Sequence, residues 1–200
     1  MSSAWDTWPT FFNFFDSCPT VQFSQLDDNP AEFFVSMIMA ITGTLPFVTI
    51  IILGLLMLFT CKRRYETLLI VLIVPSVITE MILKPYFHQA RPPLACITSY
   101  GMPSGHATLS GVFICWALFA YHNKIITNFD HIIVIWLLSI NNAFSRIYLN
   151  YHTKEQVVAG FIWGFISCAL ILMLMPIQKQ QEVKRQLTVP MYQTGLLIEP

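Results

Sequence analysis

Charge is scarce in this chain of 200 residues. Lysine, arginine, aspartate and glutamate together make up 11% of it, less than half of the share of about 25% found in soluble domains. So few charges cannot coat a surface facing water. Hydrophobic residues reach 55% and the mean hydropathy is +0.60, which excludes a disordered chain, a coiled coil and a soluble enzyme. The charges that exist cancel, 11 against 11, so no net field recruits nucleic acid. Cysteine supplies no framework either: Cys18, Cys61, Cys96, Cys115 and Cys168 are odd in number and lack zinc-site spacing. Three of them sit in or beside apolar runs, where a thiol behaves as a small hydrophobe. A Cys18–Cys96 disulfide requires both residues on one oxidising face, which spacing alone leaves open. No Lys or Arg precedes Lys62, so the start lacks the basic region of a cleavable signal peptide. Neither an internal repeat nor a lipidation signal is visible. What remains is a membrane protein.

Apolar runs are what the chain has in abundance. They cover 33–59, 67–83, 106–121, 131–149 and 157–177, against the roughly 20 residues that cross a bilayer core as helix. The alternating strands of a membrane barrel are missing. The pattern predicts an all-α integral membrane bundle of about five transmembrane helices, kinked at Pro46 and Pro75. Residues 1–32 form an N-terminal segment whose Trp5, Trp8, Phe11, Phe12, Phe14 and Phe15 suit headgroup depth, as a membrane-lying cap or as a lid over a lipid entrance. Residues 33–177 form the membrane domain, and 178–200 a polar tail. Lys62, Arg63, Arg64, Lys124, Lys179, Lys184 and Arg185 fall on one side of a five-span chain. By the positive-inside rule that side is cytosolic, with the C-terminus on it. Lys84, Arg91, Arg146 and Lys154 fall on the other side.

Three stretches on that second side hold most of the polar residues the spans do not explain. They are 84–92 at the exit of the second run, 100–106 at the entry to the third, and 145–152 joining the fourth to the fifth. Alternate helix ends converge on one face of a bundle. Lys84, Arg91 and Arg146 would then crowd at a low-dielectric edge, where cations repel unless an anion sits among them. Arginine matches the forked geometry of phosphate oxygens, and lysine adds a point charge. Pro103-Ser104-Gly105 ahead of a helix turns backbone N–H groups and a hydroxyl toward an anion at the positive end of the helix dipole. Two imidazoles complete the set. His106 and His152 suit attack on phosphorus and protonation of a leaving oxygen, because histidine titrates near neutrality. Phosphoryl transfer asks chiefly for positioning and charge stabilisation, and no metal or other cofactor is expected.

These residues carry a resemblance. Lys84, Arg91 and Pro92, then Pro103-Ser104-Gly105-His106, then Ser145, Arg146 and His152 fit the three signatures of the type 2 phosphatidic acid phosphatase superfamily. The resemblance spans about residues 65–175. It implies His152 as nucleophile and His106 as general acid, with Lys84, Arg91, Ser104, Gly105 and Arg146 binding substrate phosphate. The family's usual Asp four residues after the nucleophile is Gln156 here. Its amide oxygen can accept the imidazole N–H but brings no charge to an imidazolium. The wording of 100–104 and 145–157 is similar to the dolichyl-diphosphatase branch, where a Gln at this place is expected. That branch implies a multi-pass protein of the endoplasmic reticulum membrane, with a lumenal site that removes the terminal phosphate of dolichyl diphosphate in support of N-glycosylation. The alternatives are a sister phosphatase for phosphatidate, a sphingoid phosphate or another isoprenoid diphosphate, and a degenerate member that only binds lipid. The expected partners are the polyprenyl substrate and the bilayer, without nucleic acid; oligomeric state is not legible.

Gln156, Glu80 and Asn142 are the supporting candidates. Glu80 precedes Lys84 by one helical turn and can orient it. Asn142 precedes Arg146 by a turn and can hold its guanidinium or make an interhelical bond. Ser145 suits a site role or plain helix packing. Tyr100 and Tyr148 suit a lipid entrance or an aromatic belt. His88, unspecified by the motif, suits a solvated position, and His122 and His131 are assigned no function.

Overall fold

The structure, a computed structural model, describes residues 30–60, 64–93, 95 and 99–174. The described residues are helical with connecting loops. Helix α1 spans Pro30–Thr60 and α2 spans Arg64–Ile78; a π-helical turn, Thr79–Leu83, leads into the one-turn helix α3, Lys84–Phe87. Then come α4 (Gly105–His122), α5 (Phe129–Tyr148) and α6 (Lys154–Leu174). The long helices match the five apolar runs of the sequence. Each starts earlier than its run, by one to three residues, because its first turn takes in residues ahead of the apolar stretch, such as Glu32, Glu66, Asp130 and Glu155. The aromatic N-terminal segment up to residue 29, the Lys62–Arg63 loop, the tail and both partners of the Cys18–Cys96 pair lie outside the described residues.

Lengths and compositions fit a bilayer, unevenly. Pro30–Phe59, Glu66–Phe87 and Lys154–Leu174 are long and apolar enough to cross it. Helices α4 and α5, at 18 and 20 residues, reach about 27 and 30 Å, but carry His106, Thr108, Ser110, Ser139, Asn142, Ser145 and Arg146 on inward faces. Helix α5 is amphipathic in the membrane sense. Ser139, Asn142, Ser145 and Arg146 are buried, while Ile133, Leu137, Ile140 and Phe144 are exposed. Exposed leucine, isoleucine and valine cover the outside of α1, α2, α5 and α6, the surface a lipid solvent requires.

Helix α4 is the axis of the bundle. It packs most extensively against α6, then against α5; α1 leans on α5 and α2. Small residues permit the α4–α6 contact. A Cβ on Gly164 would strike the Thr108 carbonyl, and one on Gly111 the Phe161 carbonyl. Gly160 likewise lies against the backbone of Ser104. Close backbone approach of this kind drives helix association where no hydrophobic effect operates. Below the site, Leu69, Val71, Leu72, Leu109, Val112, Cys115, Cys168 and Leu172 form the core. Cys115 and Cys168 are free thiols there.

Candidate active site

The second span hands its polar end to the site through an irregular turn. Pro75 has no N–H to give to the preceding turn, and one turn later the helix widens. The Lys84 N–H bonds the Thr79 carbonyl five residues back. Glu80 sits in the wide turn and Lys84 closes it, with Nζ 2.7 Å from both carboxylate oxygens. Lys84 is buried, so this pairing prevents a lone, unpaired ammonium among low-dielectric neighbours. The same carboxylate faces Gly105: a Cβ there would lie 2.8 Å from Glu80 Oε1. Lys84, Glu80 and the start of α4 are therefore neighbours.

The chain leaves α3 at His88, whose left-handed backbone (φ 48°) ends the helix, and its ring packs against Tyr100. Arg91 follows on the loop. Its guanidinium is held edge-on by Ser99, Nε to the carbonyl (3.1 Å) and Nη2 to the hydroxyl (3.1 Å). Nη1 reaches the Tyr151 carbonyl and, at 2.9 Å, Nε2 of His152. Arginine stays charged, so it donates and Nε2 accepts. The proton of the neutral ring is thereby placed on Nδ1, which donates to the Gly101 carbonyl (2.9 Å) and to Gln156 Oε1 (3.2 Å). The lone pair of Nε2 points to the cationic side. Burial first, then the charges of Arg91 and Lys84, hold His152 well below the ordinary imidazole pKa, against the opposing hydrogen bonds from Gln156 and Gly101.

Helix α4 contributes its N-terminus. The first helical bond there is Thr108 N–H to the Ser104 carbonyl, so the N–H groups ahead of it are spent on no turn of the helix. The Ser104 hydroxyl is wholly buried and has no hydrogen-bond partner among the described residues, a donor that an anion at the helix N-terminus would satisfy. His106, one residue into the helix, has Nε2 at 3.4 Å from Arg146 Nη1 and its ring edge-on to Phe47 of α1. Arg146 is buried at the end of α5. Ser145 orients it, accepting from Nε (3.0 Å) while donating to the Asn142 carbonyl (2.7 Å), and the Tyr151 ring lies under the guanidinium at 5.2 Å. The backbone closes the group, since the N–H groups of Tyr151 and His152 both bond the Arg146 carbonyl.

All seven residues expected to touch the reaction or its phosphate thus meet at one end of the bundle. Among the supporting three, Glu80 holds Lys84 as its spacing suggests. Of the two places open to Asn142, the structure shows the interhelical one: Nδ2 donates to the His106 carbonyl (3.0 Å) and to Ser110 Oγ (2.8 Å). The guanidinium it was paired with by spacing is held instead by Ser145. Gln156 is wholly buried. It also forms a reciprocal cap on α6, its N–H bonding Thr153 Oγ1 while the Thr153 N–H bonds its Oε1. Thr153-x-x-Gln156 carries that signature in plain sequence. Gly43 was not legible at all: Arg146 Nη2 occupies the space its Cβ would need. Among the described residues no three His, Cys, Asp or Glu side chains gather to hold a metal ion.

Residues 64–180 match the PAP2 superfamily. The chain belongs to it. Similar curated proteins include a lipid phosphate phosphatase gamma of Arabidopsis thaliana, 34% identical over 48% of this chain and 46% of that one. A dolichyldiphosphatase of Saccharomyces cerevisiae is 29% identical over 42% and 37%. Dolichyldiphosphatase 1 of Dictyostelium discoideum is 31% identical over 64% of each. The chain therefore spans between about a third and two thirds of these relatives. Among solved structures, the transmembrane PAP2-type phosphatidylglycerolphosphate phosphatase of Bacillus subtilis has a similar fold, with a TM-score of 0.57 at 19% identity over 76% of this chain and 79% of that one. Helix α1 lies outside the matched PAP2 region, yet it supplies Gly43 and Phe47 to the site.

Proposed function

We propose that the chain is a lipid phosphatase that removes the terminal phosphate of dolichyl diphosphate. The observation that carries the phosphatase reading is the meeting of His106, His152, Lys84, Arg91, Arg146 and the α4 N-terminus. Buried cations around two imidazoles and an unsatisfied hydroxyl match the charge and shape of a phosphoryl group. As Arg91 Nη1 turns from Nε2 of His152 to a phosphate oxygen, the freed Nε2 lone pair attacks the terminal phosphorus, and the bridging P–O bond breaks. The leaving lipid monophosphate takes a proton from His106, whose protonated form the arriving negative charge favours. Water then attacks the phosphohistidine, giving its proton back to His106. Orthophosphate leaves and both rings return to their starting state. Lys84, Arg91, Arg146, Ser104 and the amide of Gly105 hold the non-bridging oxygens.

The choice of dolichyl diphosphate rests on Gln156, on the wording around it, and on two relatives named dolichyldiphosphatase. The same reading assigns the endoplasmic reticulum membrane, with the site lumenal and the C-terminus cytosolic, as the distribution of Lys and Arg supports. A second reading, a phosphatase for phosphatidate or another lipid phosphate, is favoured by the Arabidopsis relative. Phosphate release by purified full-length protein, offered dolichyl diphosphate and phosphatidate side by side, separates the two. The first reading expects at least a tenfold higher kcat/KM for dolichyl diphosphate; equal values, or a preference for phosphatidate, overturn it.

A further inference from the structure

Two main-chain groups fix which way the Gln156 amide faces. The Ala90 carbonyl can only accept, and it lies 2.8 Å from Nε2; the Thr153 N–H can only donate, and it lies 3.2 Å from Oε1. Oε1 therefore faces His152 as an acceptor. The second hydrogen of Nε2 goes to Oε1 of Gln89, at 3.2 Å. Gln89 acts a second time through its backbone. Its carbonyl accepts the Gly101 N–H at 2.8 Å, and the Gly101 carbonyl is the other acceptor of the His152 Nδ1 proton. Both acceptors that set the His152 tautomer are thus tied to one residue, which the phosphatase motifs leave unspecified between Lys84 and Arg91.

We propose that Gln89 is a positioning residue for His152, and that Gln89 with Gln156 forms a neutral relay in place of a carboxylate. The relay depends on the amide donor. A carboxylate at 156 would set acceptors against acceptors at Ala90 and Gln89, leaving both of those contacts unmade. A relay of this kind orients an imidazole as the partners behind a metal-bound histidine do. It rests on the assignment of His152 as nucleophile made above.

The test is a kinetic cycle on full-length protein in detergent, with farnesyl diphosphate as the probe. Gln89→Ala should lower kcat three- to tenfold and leave KM within twofold, as expected of a residue that acts through His152 and not by binding substrate. Gln89→Glu, which keeps an acceptor at the same reach, should recover most of that loss. Gln156→Ala should cost more, and adding Gln89→Ala to it should cost nothing further, since the two act as one unit. A Gln89→Ala enzyme with unaltered kcat, or losses that multiply in the double variant, overturns the proposal. His152→Ala run alongside keeps the two levels apart. An inert His152→Ala leaves the nucleophile assignment standing whatever Gln89 does, whereas full turnover removes that assignment and the relay with it.

Discussion

At the scale of single residues, the site is built by exclusion as much as by attraction. Gly101 is one case: a Cβ there would lie 2.5 Å from Gln156 Oε1. Gly101→Ala must push the Gln156 amide off His152, and steady-state assays should show kcat at least tenfold lower with protein still folded. Wild-type kcat would show that the amide has room to move. The pH dependence follows from the His152 environment. With its pKa held below the ordinary value of about 6.5 by burial and by Arg91 and Lys84, the ring stays neutral and nucleophilic in mildly acidic solution. The acidic limb of kcat/KM should lie below pH 6.5. The same depression removes stability as the pH falls through 6.5, where the unfolded chain takes up a proton that the folded one refuses. The meeting of the seven residues was legible in sequence because a phosphate-binding cluster demands specific residue types at fixed spacings. Gly43, Gly101 and the true partner of Asn142 were not, since each depends on which side chain arrives from another helix.

At the scale of elements, apolar run length located the helices, because a lipid solvent leaves few other conformations open. The π turn at Thr79–Leu83 had no such signature; only Pro75, a turn earlier, hinted at irregular backbone. The α4–α6 contact is where packing and function join, since Ser104 lies against Gly160 and Thr108 against Gly164. Overpacking this seam should be costly. Gly164→Leu is expected to lose about 1–3 kcal/mol or more, read as a lower unfolding temperature in detergent, with activity falling in step. Helix α1 stands apart from the PAP2 region and covers His106 with Phe47. Phe47→Ala should therefore change kcat/KM unequally between a polyprenyl diphosphate and phosphatidate. An equal change for both lipids would reduce Phe47 to simple packing.

At the scale of the whole molecule, the distribution of polarity is inverted relative to a soluble enzyme. Apolar side chains face outward, and the interior holds Lys84, Arg146, His152, Gln156 and their hydroxyl partners. Burying two cations in such an interior would cost on the order of 5–7 kcal/mol by insertion scales; the Glu80 carboxylate offsets that cost for Lys84, and an anion in the proposed site would offset it for Arg146. Composition alone made that inversion legible; which side each loop faces is a proposal that rests on the Lys and Arg count, and the substrate's lipid was left to resemblance, because an aliphatic outer surface carries no pattern that selects one tail. The central claim is covalent chemistry at His152, and trapping tests it most directly. Full-length protein is mixed with a polyprenyl diphosphate labelled in its terminal phosphate, quenched in base and digested. Label should appear on the peptide containing His152 as an acid-labile, base-stable adduct, and should vanish in His152→Ala; sustained phosphate release with no label on that peptide would contradict the account.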